Sequence, residues 1–386
     1  MKKIYLLCLL VLIVAGAKAQ LSIQNGKHVL EVSGSLATYY NQRFLKSSQD
    51  DQKNDRFKLK DARLKLEGRV EKTWDYQLQV DFADFANGDI DAENPGIMDA
   101  YVTYRGLSFM NVKLGYSKVP YSFSSLVPFK YTAFWKRSQI ADGELFNRRD
   151  VGVTLSRNFL RSLLRVYAGA YTGLGEVSLK GDNDASGNLE YAGRAEFSYP
   201  VRTKYREIDY DCSPIPVFAV AINGRYADKT LPDGDDLPAN AGGEYGLNVI
   251  NGKKYTYGMD ASFLYHGLSA QFEIDQVKGE PYSDSDALYQ GFSKEQANGH
   301  FYSGGYYAQL NYFEKNWKTT FSVRYEQMNI SDLSNGKSER MSAGINYQVD
   351  GLGAMLKIQY FGILKDESID KQKWKNQLRV GMVFNL

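Results

Sequence analysis

The stretch Leu378-Arg379-Val380-Gly381-Met382-Val383-Phe384-Asn385-Leu386 is the part of the sequence that decides the fold. Every second residue from Leu378 onward is apolar, and the residues between them are mostly polar or small. Because side chains alternate across a strand with a period of two, this strand has one apolar face and one largely polar face. Such a pattern is typical of a β-barrel in lipid, where the apolar face points outward and the polar face lines the interior.

Alternating segments of the same kind recur along the chain. Trp74, Tyr76 and Leu78, for example, alternate with Asp75 and Gln77. We predict sixteen strands, at residues 29–40, 56–70, 74–85, 97–105, 109–117, 150–158, 163–172, 190–199, 216–226, 255–265, 268–278, 302–313, 317–329, 339–349, 353–364 and 374–386.

The connections between these segments alternate between short and long. Up-and-down barrels of bacterial outer membranes have short periplasmic turns, longer outer loops and an even number of strands. The sequence therefore predicts an all-β fold, a transmembrane antiparallel up-and-down barrel of about sixteen strands with a water-filled lumen and both termini on the periplasmic side. A secreted β-sandwich is the rival fold, but it would not produce this alternation.

One connection does not fit the alternation. The link 200–215 should be a short turn, yet it has sixteen residues and begins with Pro200. Two more prolines, Pro214 and Pro216, follow at its other end. At this stage the link could hide an unrecognised pair of strands.

The first nineteen residues have the features of an export signal. Lys2 and Lys3 precede an apolar run at 4–14, and Ala17-Lys18-Ala19 is a small-residue cleavage site. We expect residues 1–19 to be a cleaved signal peptide and residues 20–386 to be an outer-membrane barrel of the Gram-negative type, in contact with outer-membrane lipid. After cleavage only Cys212 remains, so no internal disulfide can form.

The charge of the chain is nearly balanced, with a formal net charge of +2. This balance gives no reason to expect a nucleic-acid partner, and no motif indicates a cofactor or a metal. Only three histidines are present, and none is placed on a strand beside a serine and a carboxylate. A catalytic serine with a histidine base therefore has no plausible position in the barrel, and we expect no enzymatic activity.

The long connection 118–149 is the third outer loop and is unusually aromatic. A loop this apolar is expected to fold into the lumen and pack on the wall. Its acidic residues are Asp142 and Glu144, whereas six positions are basic: Lys118, Lys130, Lys136, Arg137, Arg148 and Arg149. In a narrow constriction of low dielectric, such a positive ring attracts anions and repels cations. The alternative is a solvated loop that carries ordinary surface charges.

The alternation also predicts which charges face the lumen. Four basic residues are expected on the early wall: Arg63, Lys65, Arg69 and Lys113. Over the whole barrel, however, ten basic and eight acidic side chains should point inward. The inner face as a whole therefore has no continuous row of positive charges. A guanidinium suits bidentate binding of phosphate or carboxylate, so phosphate-like anions are the candidate solutes.

Several motifs resemble the phosphate-selective porin O and P family of outer-membrane channels. They are A-R-L-K-L-E-G at 62–68, D-A-Y-V-T-Y at 99–104, G-Y-S-K-V-P-Y at 115–121, R-S at 137–138 and R-D-V-G-V at 149–153. The resemblance implies a sixteen-stranded, usually trimeric barrel whose third loop folds inward and whose basic residues line an anion path. The chain departs from the pattern at Tyr116 and at Lys136, which stands where an acidic residue is expected. We expect Lys136 to make the constriction more positive.

Three functions follow from these features. The first is passive diffusion of small hydrophilic solutes, with a preference for anions such as phosphate. The second is a general, non-selective porin. The third is a binding or adhesion barrel that recognises a ligand through its long outer loops at 227–254 and 279–301.

Overall fold

A computed structural model describes residues 21–45, 55–83, 96–143, 145–175, 186–230, 247–282, 295, 297–333, 337–366 and 374–385. These residues form seventeen strands. The strands are β1 Leu21–Asn25, β2 His28–Leu45, β3 Arg56–Val70, β4 Trp74–Asp81, β5 Ile97–Tyr104, β6 Asn111–Lys118, β7 Arg149–Phe159, β8 Leu164–Tyr171, β9 Glu190–Tyr199, β10 Val217–Lys229, β11 Gly252–Tyr265, β12 Leu268–Pro281, β13 Phe301–Glu314, β14 Thr319–Asn329, β15 Lys337–Asp350, β16 Ala354–Asp366 and β17 Trp374–Asn385.

The strands β2 to β17 form a closed antiparallel ring. Each pairs with its neighbour in sequence, and β17 pairs back onto β2, with Asn385 opposite Ser35 and Val380 opposite Tyr40. Strand β1 is a short arm that pairs with the first residues of β2. All sixteen predicted strands are therefore present, the closed barrel is confirmed, and the β-sandwich is excluded.

The burial pattern of the strands is the reverse of that in a soluble sheet. In β14, Phe321 and Val323 are exposed, whereas Ser322, Arg324 and Glu326 are buried. The same alternation runs through β10 and β12. Because one face of a closed ring must point inward, the polar residues line the interior and the apolar residues form the outer surface. The charged residues of the strands therefore lie on the inner face of the barrel, as the alternation predicts.

The connections divide the barrel into two ends. One end, called here the short-turn end, carries the turns 71–73, 105–110, 160–163, 266–267, 315–318 and 351–353. Connections of seven residues or more lie at the opposite end, called the long-loop end. The alternation fails only at residues 200–216, called here the link. The link lies at the short-turn end, and its described residues contain no strand, so it hides no strand pair.

The connection between β6 and β7, residues 119–148, is called loop 3. It contains a single α-helical turn, α1 Phe123–Leu126, and 3₁₀ turns at Phe129–Tyr131 and Gln139–Ala141. A further 3₁₀ turn, Leu160–Ser162, connects β7 to β8. None of the described helices is long and apolar enough to cross a membrane.

Two parts of the sequence prediction need comment. Lys318 is one of the ten basic residues that the alternation predicts on the inner wall, but it lies in the turn before β14 with a positive φ, and its side chain is exposed. A residue outside the extended backbone does not follow the alternation of a strand. The predicted signal peptide, residues 1–19, lies outside the described residues.

Candidate functional site

A cavity of about 1110 Å³ lies against the inner faces of strands β2 to β6 and against loop 3. Residues from both ends of the barrel line it, including Lys118 at the long-loop end and Leu352 at the short-turn end. The cavity therefore extends along the barrel. Its wall is strongly unbalanced in charge, since four acidic residues face ten basic ones. The basic residues are Lys60, Arg63, Lys65, Lys113, Lys118, Lys130, Lys136, Arg137, Arg148 and Arg149.

The cavity brings together nine of the ten basic residues that the sequence singled out. The exception is Arg69, which lies near the short-turn end of β3. Its Nε donates to Asp75 Oδ1 at 2.6 Å, and its side chain is half exposed. Lys60 lines the cavity as well, although it was not among the predicted site residues. Its position in β3 differs in parity from that of Arg63 and Lys65, so alternation alone would not have selected it.

Three cations of the cavity form close ion pairs with neighbouring carboxylates, at 3.2 Å or less. Arg149 Nε lies 3.2 Å from Asp99 Oδ1, and Lys65 Nζ lies 2.5 Å from Glu67 Oε2. Arg63 donates from Nε to Asp81 Oδ2 at 2.7 Å, and also contacts Asp61. Pairing cancels much of the field that these cations project into the cavity.

Two other cations bind the backbone of loop 3. Lys118 Nζ donates to the carbonyl oxygens of Leu126 and Val127, at 2.9 and 3.2 Å. Arg137 donates to the carbonyls of Ser124 and Val127, at 2.7 and 2.8 Å. Carbonyl oxygens carry no net charge, so these contacts hold α1 in place without cancelling the charge of either cation. Burial and the nearby Arg148 lower the pKa of Arg137, but a guanidinium remains charged at neutral pH.

Three lysines of the cavity have weaker partners. The Nζ of Lys113 lies over the ring of Tyr101, 4.7 Å from its centroid, and that of Lys130 lies 5.0 Å from the centroid of its neighbour Tyr131. Lys136 Nζ is 3.7 Å from Asp142 Oδ2, and its side chain is 53% exposed. These ammonium groups can approach a passing solute most freely.

Loop 3 is bound to the opposite side of the barrel by contacts that sequence reasoning missed. Carboxylates of the strands accept hydrogen bonds from its backbone. Ser124 N donates to Glu273 of β12 at 3.1 Å, and Gln139 N donates to Glu326 of β14 at 3.0 Å. The alternation places both carboxylates on the inner face, but it contains no information about which loop atom they bind.

Basic and amide side chains of the strands bind carbonyl groups of the same loop. Lys357 Nζ donates to Thr132 O at 2.8 Å, and Asn346 Nδ2 donates to Ala133 O at 2.9 Å. Arg324 donates to the carbonyls of Lys136 and Arg137. Charged side chains of both signs on β12 to β16 thus form hydrogen bonds with the backbone of loop 3.

The aromatic residues of loop 3 pack on the barrel wall. Trp135 is 1% exposed, and its ring lies 5.0 Å from that of Tyr39 in β2. Tyr121 packs against Phe146, and its hydroxyl donates to Asp275 of β12 at 2.9 Å. Burial and the Asp275 carboxylate raise the pKa of Tyr121, so it remains a hydrogen-bond donor.

The model of the phosphate-selective porin O and P family matches residues 33–211. This range contains most of β2, strands β3 to β9, loop 3 and all ten basic residues of the cavity. The family resemblance is thereby confirmed over this part of the chain. In a comparison with curated protein sequences, none matches the chain.

Solved porin structures share the fold of this porin-like chain at low sequence identity. An anion-selective porin from Comamonas acidovorans is 11% identical with a TM-score of 0.59, covering 93% of this chain and 100% of that one. Salmonella typhi OmpF, in a complex with daunomycin, is 11% identical with a TM-score of 0.60, covering 95% and 100%. The trimer form of Vibrio cholerae OmpT is 11% identical with a TM-score of 0.58, covering 93% and 99%. The family match and the porin fold together support an outer-membrane porin channel.

Proposed function

We propose that this chain forms an outer-membrane channel for passive diffusion of small hydrophilic solutes, with a preference for phosphate-like anions. The observation that carries the proposal is the cavity itself, in which ten basic side chains face four acidic ones. An excess of fixed positive charge in a narrow passage raises the local concentration of anions and lowers that of cations. The Comamonas acidovorans porin, which shares this fold, is anion-selective, in agreement with this preference.

Loop 3 is proposed to fold into the lumen and to form the constriction. Its backbone binds inward-facing side chains on the far wall, among them Glu273, Glu326 and Gln359. In this position the loop would present Lys130, Lys136 and Arg137 to solutes that pass along β2 to β6.

Phosphate is the proposed solute class because the cationic groups surround the passage from more than one element. Lys113 comes from β6, whereas Lys130 and Lys136 come from loop 3. Several ammonium donors converging on one passage favour a compact anion with several acceptor oxygens. A general, non-selective porin remains the alternative, and a selectivity measurement decides between them.

The surroundings of the channel are proposed as follows. Residues 1–19 act as a cleaved signal peptide, and the exposed apolar faces of the strands contact outer-membrane lipid. The assembly is a homotrimer, in line with the trimer form of the Vibrio cholerae protein. A binding or adhesion function would act through the connections 230–251 and 282–300, which lie largely outside the described residues.

No catalytic activity is proposed. His28 contacts the hydroxyl of Tyr76, His266 lies in a turn, and His300 contacts the carbonyl of Asn298. Among the described contacts of these histidines, none joins a serine hydroxyl to a carboxylate.

The reversal potential of the purified protein in a planar bilayer under a KCl gradient tests the proposal. We expect an anion-selective current that added phosphate reduces. In a triple variant, Lys113→Gln with Lys130→Gln and Lys136→Gln, both the selectivity and the phosphate effect should fall. The matched control replaces three exposed lysines of the short-turn end: Lys72, Lys204 and Lys315.

A cation-selective or unselective current from the wild-type protein would contradict the anion preference and leave a general porin. An anion-selective current that phosphate does not affect would leave the preference and reject phosphate. Equal losses in the triple variant and its control would mean that the cavity lysines are not the selective element.

A further inference from the structure

The link, residues 200–216, is long because it turns into the barrel. Its central residues are among the most buried in the protein: Glu207 is 2% exposed, and Ile208 and Asp209 are fully buried. Every other connection at the short-turn end has six residues or fewer and reaches only from one strand to the next. A connection with a buried charged residue at its centre needs partners for that charge.

The wall of the barrel supplies part of these partners. The carbonyl oxygen of Glu207 accepts three hydrogen bonds from inward-facing side chains of β12 and β13. The donors are Ser269 Oγ at 2.8 Å, Gln271 Nε2 at 2.8 Å and Asn311 Nδ2 at 2.9 Å. The main chain of the link is thereby fixed against the wall.

Loop 3 supplies the remaining partners. Ala133 N donates to Glu207 Oε2 at 2.8 Å, and Glu207 N donates to Tyr131 O at 3.2 Å. Gln309 Nε2 of β13 also donates to Oε2, at 2.9 Å. Beside this junction, Ile208 packs in one cluster with Ala133 and Phe134. Two segments that start from opposite ends of the barrel therefore meet at one carboxylate.

We propose that Glu207 is a positioning residue that fixes loop 3 against the wall, and that link and loop together close the side of the lumen facing β9 to β16. This inference rests on the proposed channel function and deepens it. Solutes then pass along β2 to β6, where the basic cavity lies.

The division of the lumen explains how a nearly balanced wall can produce a positive path. On the closed side, Arg194 forms an ion pair with Asp260, and Glu273, Asp275 and Glu326 accept hydrogen bonds from loop 3. Those carboxylates are kept away from the solute path. If the contact with Glu207 is lost, loop 3 loosens, the passage widens and these carboxylates become accessible. Conductance should then rise while anion preference falls.

The test compares Glu207→Ala with Glu207→Gln in planar bilayers. We expect the alanine variant to show a larger single-channel conductance, more frequent current fluctuations and a smaller anion-selective reversal potential. The glutamine variant should resemble wild type, because its amide oxygen can still accept from Ala133 N. The same amide oxygen can also still accept from Gln309 Nε2.

Asp211→Asn is the matched control, because Asp211 lies in the same link but is 59% exposed in its side chain and pairs with Arg206. Its current should match that of wild type. Heat-modifiable mobility in SDS verifies that each variant forms a barrel. If the alanine variant fails to fold, Glu207→Asp keeps the charge, shortens the side chain by one methylene and should show the same two changes.

The outcomes separate this inference from the function on which it rests. Wild-type conductance and selectivity in the folded alanine variant, or in the aspartate variant if alanine does not fold, would overturn the positioning role and leave the anion channel intact. A change in conductance that equals that of Asp211→Asn would overturn it as well. A wild-type channel without anion preference would overturn the proposed function, while a conductance rise confined to the alanine or aspartate variant would still support the position of the loop.

Discussion

Arg149 of β7 forms an ion pair with Asp99 of β5 across the intervening strand β6, with 3.2 Å between Nε and Oδ1. Both side chains are nearly buried, at 5% and 7% exposure. Buried pairs are screened much less by salt than exposed ones. The negative charge of Asp99 therefore offsets the positive field that Arg149 would otherwise produce in the cavity. The proposed selectivity of the passage should therefore depend on its few carboxylates as much as on its many cations.

Asp99→Asn should increase the proposed anion preference of the channel. The substitution keeps the size of the side chain but removes the countercharge of Arg149, so the net positive charge of the cavity wall rises by one. A larger reversal potential under a KCl gradient would be the expected result. Glu71→Gln, an exposed turn residue paired with Lys27, serves as the control and should leave the potential unchanged. A lower anion preference in Asp99→Asn would mean that Asp99 acts mainly by orienting Arg149.

Asp260→Asn should destabilise the barrel without changing selectivity. Asp260 accepts from both terminal nitrogens of Arg194, at 2.5 and 2.9 Å, and neither residue lines the cavity. Removing one member of a buried pair typically costs about 3–5 kcal/mol. Urea unfolding in lipid vesicles would measure the loss.

The double variant Arg194→Leu with Asp260→Leu tests the cause of that loss. It removes both charges, and Glu196 keeps its contact with Arg165. We expect it to recover part of the stability lost in Asp260→Asn. If the double variant is less stable than Asp260→Asn, the two side chains must stabilise the barrel by more than neutralising each other's charge.

Trp135→Ala should destabilise the protein through lost packing in loop 3. The ring of Trp135 lies against Tyr39 and Phe129, and truncating a buried tryptophan costs about 3–5 kcal/mol. Trp317 offers a matched control, since it is 67% exposed in a turn, and Trp317→Ala should cost far less. Thermal unfolding, followed by heat-modifiable mobility, compares the two variants. Equal midpoints would contradict the packing role of Trp135.

Ile222→Arg should impair insertion into the membrane. Ile222 is 67% exposed on the outer face of β10, near the middle of the strand. An arginine at the bilayer midplane of a barrel costs about 2–4 kcal/mol. Leu160→Arg, in an exposed turn at the short-turn end, should be tolerated, because a charge outside the hydrocarbon region costs about 1 kcal/mol or less. Vesicle insertion of the two variants, measured by protease protection, provides the readout.

The barrel itself could be predicted from the sequence because its signal is local. Alternation of apolar and polar side chains, as in β14, is visible within ten residues, and the ring follows from repeating it. Alternation also selected the four wall residues, three of which line the cavity, whereas the six basic residues at 118–149 were selected from the composition of that connection. Arg69 has the parity of the inner face, but parity gives no information about its distance from the cavity, which it does not line.

The proposed division of the lumen could not be predicted from the sequence. A count of inward-facing charges treats Glu273 and Glu326 as part of the solute path, whereas both bind the backbone of loop 3. Glu207 gave no signal either, because its partners Ala133 and Gln309 lie far away in the chain. The unusual length of the link was visible, but its explanation depends on contacts that only the folded chain brings together.

The seam between β2 and β17 has a consequence for the kinetics of folding. There Arg379 Nε donates to Asn41 Oδ1 at 3.3 Å, joining residues 338 positions apart. Closing so long a loop carries a large entropic cost before any contact repays it, and chains rich in such contacts fold slowly. Until the seam forms, β2 and β17 each have an unpaired edge, and such edges readily pair with other chains. We therefore expect ring closure to be the slow step of folding, and the stage at which the protein is most prone to aggregate.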